Sequence, residues 1–398
     1  MCGACAMEGV EAKAPQSWRA LLKQAVSLYV FSRAAFVIVG LFVSAFAFGN
    51  LAPGGALPLN QPWHIFLFRL VYTSDSAFYH SIAMHGYRRV HFNTHKQYNW
   101  AFFPLFPYLS RWTRDLVHLR VVDAGVLWSQ MSMVVFLTLL GRLVDQKRGP
   151  RLALTAMTLA AFSPLTPYFV AYRAAALFLA LSTAVFYFLE NSQWNLALLA
   201  GAAASLTRPV GILLAVPYLV ALGNAFTPLS TLFRKGIGAS AFAFGFAVVG
   251  FIDWRFTSNP LAFLAIQTAW NRKTRFPFAS SLRWLSHLGL TAQGGWSFPS
   301  LAITASIVAL LAAIYLYRQG REFWPGAAYI FVTVILANAS NSFEGIPRFI
   351  AELPPIYVAM ALWVENHPRR QLSQPIVVGI LFTAYIALWA LGIHAVQN

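Results

Sequence analysis

Twelve carboxylates are all that this chain of 398 residues offers as general bases or anionic metal ligands. Asp75 has the most chemical surroundings: it stands before S-A-F-Y-H-S-I-A-M-H-G-Y, close to His80, His85, His91 and His95. An aspartate there can take the proton of an attacking hydroxyl, or it can cap a helix that begins at Ser76. Both readings stand at this level. The histidines are candidate imidazole ligands, but their spacing matches no compact metal motif, and side chains five residues apart on a helix share a face poorly. Arg173, Arg208 and Arg348 lie in or beside apolar stretches, where a cation is expensive unless it faces protein or water. Arg272, Lys273 and Arg275 form a cluster farther along. Guanidiniums suit a phosphate; snorkelling to lipid headgroups is the plainer role for the cluster. Cys2 and Cys5 make a lone C-x-x-C without a second ligand pair, read as a feature of the N-terminal tail.

These side chains must be positioned by a membrane bundle. Hydrophobic residues make up 58% of the chain and charged ones 10%, far from the roughly 25% charged of a soluble domain. The predicted fold class is all-α, a polytopic helical bundle. Apolar stretches at 20–48, 121–144, 152–171, 175–191, 195–223, 235–253, 298–317, 323–339, 349–365 and 374–395 are the expected spans. No small-residue cleavage site follows the first stretch, so it is expected to stay attached. A net charge of +17 without a basic stripe or nucleic-acid module speaks against nucleic acid and for positive-inside topology or an anionic lipid. Lys13, Arg19 and Lys23 place residues 1–19 in the cytoplasm as a tail, with 20–398 as one transmembrane domain, and Arg142, Lys147, Arg148 and Arg151 place the next turn there too. Later basic turns stay cytoplasmic only if 195–223 crosses twice, and Arg208-Pro209 at its middle predicts two half-helices meeting there. Eleven crossings and an external C-terminus follow. Segments 49–120 and 254–296 are then external, too long for turns, and expected to carry function. Asp75, Asp115, Asp123, Asp253, Glu344 and Glu352 fall on the external side. Tyr79, Ile82, Ala83 and Gly86 recur at helical spacing, as one face of an interfacial helix.

S-D-S-A-F-Y-H-S-I-A-M-H-G-Y at 74–87 and N-W-A-F-F-P-L-F-P-Y-L-S-R at 99–111 resemble the first lumenal loop of the PIG-V-type mannosyltransferases, which reads W-D-x-x-x-Y-x-x-I-A-x-x-G-Y and then A-F-F-P-L-Y-P. F-S-P-L-T-P-Y-F-V-A-Y-R-A-A-A-L-F, S-L-T-R-P-V-G-I-L-L, N-P-L-A-F-L-A-I-Q-T-A-W-N-R-K-T-R-F-P and I-P-R-F-I-A-E-L-P-P follow in family order. The resemblance implies a GT-C glycosyltransferase: a sugar, with mannose expected, moved with inversion from a polyprenyl-phosphate donor to a lipid or glycan acceptor at the external, periplasmic face of a bacterial inner membrane. It implies Asp75 as the catalytic or acceptor-orienting carboxylate, with Arg173, Arg208 and Arg348 on the donor phosphate. Tyr79, His80, His85, Tyr87, Trp100, Phe103, Trp270, Arg272 and Lys273 are the expected donor or acceptor contacts. No cofactor or metal is implied beyond the lipid-phosphate sugar itself, and no nucleic-acid partner. Two positions depart from the pattern: Ser74 replaces the usual tryptophan, and Y-R-A-A-A-L-F has Ala174 or Ala175 where the family carries a glutamate. A transporter or flippase of a lipid-linked sugar is the competing class; it would show two halves of matching hydropathy with charges at the midplane, and the sequence shows no such halves.

Overall fold

The structure is a computed structural model describing residues 15–47, 68, 71–73, 75–225, 228, 235–270, 272–286, 298–367 and 373–390. Cys2, Cys5, Lys13 and Ser74 lie outside these residues, as do most of the tail and the ends of both long loops. Among the described residues every regular element is helical, joined by one isolated bridge between Thr274 and Ser340.

The helices are α1 (Trp18–Ala47), α2 (Ser76–His85), α3 (Leu105–Val117), α4 (Val121–Arg148), α5 (Pro150–Ala161), α6 (Ala175–Glu190), α7 (Trp194–Ser205), α8 (Ala215–Asn224), α9 (Phe244–Thr257), α10 (Ala279–Ser286), α11 (Phe298–Gln319), α12 (Trp324–Ala337), α13 (Ile346–Ala351), α14 (Pro354–Glu365) and α15 (Ser373–Ala390). Among the described residues four stretches are long and apolar enough to cross a membrane: Trp18–Val43, Val121–Arg148, Lys235–Thr257 and Pro299–Gln319. The chain is an integral membrane protein.

Helix α4 is the axis, packed against α6, α5, α1 and α3. Its Gly125 lets Tyr172 come so close that a Cβ would meet the ring at 2.0 Å. Lipid gives helices no hydrophobic reason to associate, so close packing such as this ring seated on a bare glycine holds them together.

Residues 195–223 break where Arg208-Pro209 requires. Helix α7 stops at Ser205, and a 3-10 segment Pro209–Leu214 leads into α8. The break is braced from α9: the Gly245 amide donates to Ser205 Oγ at 2.9 Å, and a Cβ on Gly245 would strike the Ser205 carbonyl at 2.0 Å. Each arm is shorter than the roughly 20 residues a full crossing needs.

Two expected spans require correction. Residues 152–171 do not form one helix: α5 ends at Ala161, and only one turn, Pro167–Val170, follows. Ser163-Pro164 and Thr166-Pro167 disfavour helix at the residue before each proline, and Thr166 Oγ1 donates to the freed Ala161 carbonyl at 3.1 Å. Residues 349–365 likewise divide at Glu352-Leu353, ahead of Pro354-Pro355, into α13 and α14.

The described parts of both long loops gather at one end of α4. Phe78 and Phe102 from the first meet Trp270 from the second, ring centroids 5.6 and 6.1 Å apart. The basic turns gather at the other end, where Gln16 donates its amide to Asp145 at 2.6 Å and Arg148 pairs with Glu322 at 2.8 Å.

Candidate active site

At the loop end, a cavity of about 620 Å³ opens between α2, α6, the Arg208 break, residues 263–272 and α13. Its chemistry begins with Asp75. Thr73 donates its amide to Ser76 Oγ at 3.0 Å, Ser76 Oγ donates to the Tyr172 carbonyl at 3.0 Å, and the Tyr172 amide donates to Val71 at 2.7 Å. The clasp fixes residues 71–73 and Ser76 against Tyr172-Arg173 and sets Asp75 beside Arg173. Asp75 precedes α2, yet its side chain makes no capping bond. Instead Oδ2 accepts from Arg348 Nη1 and lies 3.9 Å from Arg173 Nη1. The capping interpretation is therefore corrected.

Arg348 reaches this point from a single proline-led turn, α13, entered through Gly345 at φ +81, a left-handed conformation that glycine adopts without penalty. Glu352 lies four residues on, so both side chains project from one face of that turn. Arg348 pairs with Asp75, and Glu352 pairs with Arg208. One short turn thus ties the first loop to the break in 195–223. Phe349 lies under both guanidiniums, 5.1 Å from Arg208 and 5.7 Å from Arg348. Arg348 Nε and Glu352 Oε2 are buried without a hydrogen-bond partner among the described residues; an orphaned buried polar group in a native structure points to a functional role.

Burial alone would raise the Asp75 carboxyl, but the Arg348 guanidinium, with Arg173 and Arg208 behind it and the hydrogen bond from Arg348, holds it below the usual carboxylate range. Asp75 is an anion at any physiological pH, held by cations that would also suit a phosphate.

Of the expected contacts, Tyr79, Phe103, Trp270 and Arg272 line the cavity with Asp75, Arg173, Arg208 and Arg348. Tyr79 stands edge-on to Phe102 and Phe106 at 5.1 and 5.3 Å. Others do not line it. Tyr87 donates its hydroxyl to the Phe102 carbonyl at 2.7 Å, and Trp100 Nε1 donates to the Arg88 carbonyl at 2.9 Å, both from buried positions that brace the loop. His80 stands edge-on to Tyr72 at 6.1 Å, His85 is exposed at the end of α2, and the exposed Lys273 is tied through its backbone to Asn341. Among the described residues no group of three or more His, Cys, Asp or Glu side chains converges.

Glu344, Gln97, Thr207 and Gln267 also line the cavity, and Glu352 completes the ionic frame behind it. The signal for Glu352 was present in I-P-R-F-I-A-E-L-P-P, an Arg and a Glu four apart in a proline-bounded apolar segment. Ala174 and Ala175, one of which stands where the resembled family carries a glutamate, line the cavity as well.

No protein-family model matches the chain, and no curated protein matches it. Among solved structures, the Archaeoglobus fulgidus oligosaccharyltransferase tethered with an acceptor peptide aligns at 15% identity over 94% of this chain and 54% of its own, with a TM-score of 0.47. ArnT from Cupriavidus metallidurans in the apo state aligns at 16% over 86% of this chain and 61% of its own, TM-score 0.49. The same ArnT bound to undecaprenyl phosphate aligns at 14% over 92% and 76%, TM-score 0.49. This chain spans little more than half the length of the first two.

Proposed function

We propose that the protein is a membrane glycosyltransferase of GT-C type that transfers a sugar, mannose by the resemblance of its loop motifs, from a polyprenyl-phosphate donor to a hydroxyl of a lipid or glycan acceptor at the external membrane face. The observation carrying this reading is Asp75 clasped by Arg348 beside Arg173 and Arg208, at the wall of a cavity lined by aromatic rings. The cavity and the ion pair behind it hold four guanidiniums, Arg173, Arg208, Arg272 and Arg348, against the carboxylates Asp75, Glu344 and Glu352. One positive charge is left over, which suits the single negative charge of a phosphodiester.

In this mechanism the donor phosphate and Asp75 compete for the same guanidinium. When the phosphate takes Arg348, Asp75 turns to the acceptor. The acceptor oxygen attacks the anomeric carbon, its proton passes to the Asp75 carboxylate, and the anomeric carbon–phosphate oxygen bond breaks. Polyprenyl phosphate leaves, its charge held by Arg348, Arg173 and Arg208. A single displacement inverts the anomeric centre, and guanidiniums take the role a divalent ion has elsewhere. Phe78, Phe102 and Trp270 offer flat apolar faces to a sugar ring or a lipid tail.

The test is purified protein with radiolabelled polyprenyl-phosphate mannose, a panel of membrane-lipid acceptors, and chelator present or absent. Transfer is expected with and without chelator, and Asp75→Asn is expected to reduce it about 100-fold in a protein that still folds. Turnover from a nucleotide sugar alone, or full activity in Asp75→Asn, would overturn the assignment. Saturable binding of the donor without transfer would favour a transporter.

A further inference from the structure

A second pocket, of about 430 Å³, is lined by Arg275, Ser280, Arg283, Trp284, Asn341 and Phe343. It lies across residues 338–344 from the main cavity, since Asn341 and Phe343 face it while Glu344 faces the cavity. Its frame is built from backbone. Residues 272–280 hook onto 338–341 through Arg275 amide to Ala339 carbonyl, Phe278 amide to Asn338 carbonyl and Asn341 amide to Lys273 carbonyl, each 3.0 to 3.1 Å. Asn341 Oδ1 accepts from the Lys273 amide at 2.6 Å, and Ser280 Oγ donates to the Ser340 carbonyl at 3.1 Å. Phe278 sits at φ +64, a left-handed conformation costly for a bulky side chain, with its ring packed on the core. Such strain persists only where the surroundings enforce it, and it clusters at ligand clamps.

Two further observations specify the ligand. Neither Arg275 nor Arg283 has a carboxylate partner among the described residues, so two guanidiniums share the pocket with an indole and an amide. Around them Phe276 is 82% exposed and Leu282 63% exposed, on a segment beside the start of α11 and the end of α12. Apolar side chains ringing a cationic pocket at the ends of membrane helices belong at the headgroup level of a bilayer. We infer that this pocket binds the phosphate headgroup of an anionic phospholipid of the surrounding membrane, with Arg275 and Arg283 on the phosphate and Phe276 and Leu282 among the acyl chains. The site is separate from the proposed donor cavity and does not depend on the transferase reading.

Native mass spectrometry of the full chain, released from detergent containing phosphatidylglycerol or phosphatidylcholine, tests it. The unaltered protein should retain one more phosphatidylglycerol than the double variant Arg275→Gln, Arg283→Gln, with affinity for that lipid lower by about tenfold or more in the variant. Asn341→Asp keeps the acceptor for the Lys273 amide but adds a negative charge, and should lose the same lipid. Arg318→Gln, a basic residue at the other end of the bundle, should retain it. Equal retention by the double variant and Asn341→Asp, or equal retention of phosphatidylcholine, would overturn the inference. So would displacement by millimolar inorganic phosphate, which would make this a small-anion site.

Discussion

Arg148–Glu322 at the basic end of α4 uses the same residue types as Arg208–Glu352 at the cavity end, but in a different medium; Lys147–Glu190 and Asp75–Arg348 flank them. The Arg148 and Glu322 side chains are 40% and 45% exposed, whereas Arg208 and Glu352 are 9% and 1% exposed. The pocket beside the first group holds about 100 Å³, against about 620 Å³ beside the second. Water screens Arg148–Glu322, so that pair contributes little, while Lys147–Glu190 is partly shielded, at 12% and 37% exposure. Arg208–Glu352 is desolvated, and Arg348 beside it keeps an orphaned nitrogen, so these charges are strongly coupled to any anion that enters, with Asp75 the more open partner at 24% exposure. The proposed site is distinguished by a desolvated ion pair, not by its number of charges.

The largest effect is expected from Arg348→Gln. It removes the cation that Asp75 holds and that the proposed mechanism shares with the donor phosphate, and loss of one preorganised charge-stabilising group costs about 10²–10³ in rate. Transfer measured at saturating donor, with circular dichroism to confirm the helical fold, checks this. If Arg348→Gln transfers normally, the contrast between the two ends has no functional meaning.

Glu352→Gln separates structure from chemistry. Arg208 would be left buried without its counter-ion, a loss of about 3–5 kcal/mol, while Glu322→Gln should cost about 1 kcal/mol or less. Chemical denaturation of both variants reads the difference. Equal losses would mean that the cavity end is as well solvated as the basic end.

How far the site was legible follows from the range of the interactions. Asp75 and the Arg208 break announce themselves locally, through a turn before an amphipathic helix and through a proline beside a charge in an apolar run. The pairing of Asp75 with Arg348 spans 273 positions, and no local pattern encodes it. The interrupted span at 152–171 was masked by its apolar composition, although Pro164 and Pro167 carried the signal. Tyr87 and Trp100 belong to the motif that suggested the site, yet both bind backbone carbonyls; residue type cannot distinguish a contact from a brace. Asp75 was ambiguous for the same reason: its place before a helix suggested a cap, and its carboxylate accepts from Arg348 instead.

Ala175→Glu probes the vacancy at the cavity wall. Ala175 begins α6 and is 2% exposed, but it lines a cavity with room for the four heavy atoms that glutamate adds. A carboxylate there gains from the helix N-terminus and from nearby cations while cancelling the excess positive charge. The protein should therefore fold, and affinity for non-hydrolysable donor should fall about tenfold. Loss of expression would mark Ala175 as a packing position and remove the motif match there.

The smallest effect is expected from Arg148→Gln, which breaks the ion pair to Glu322 at 2.8 Å. Both partners are solvated, and Glu322 also neighbours Lys147, whose Nζ lies 3.4 Å from the Glu322 carbonyl. The lost attraction is therefore screened and partly replaced, so stability should change by about 1 kcal/mol or less. Transfer should stay at the wild-type rate, because α4 places most of its 28 residues between Arg148 and the cavity. A large loss of transfer in Arg148→Gln, with the fold intact, would show the two ends to be coupled along α4 and would move the basic end into the working machinery.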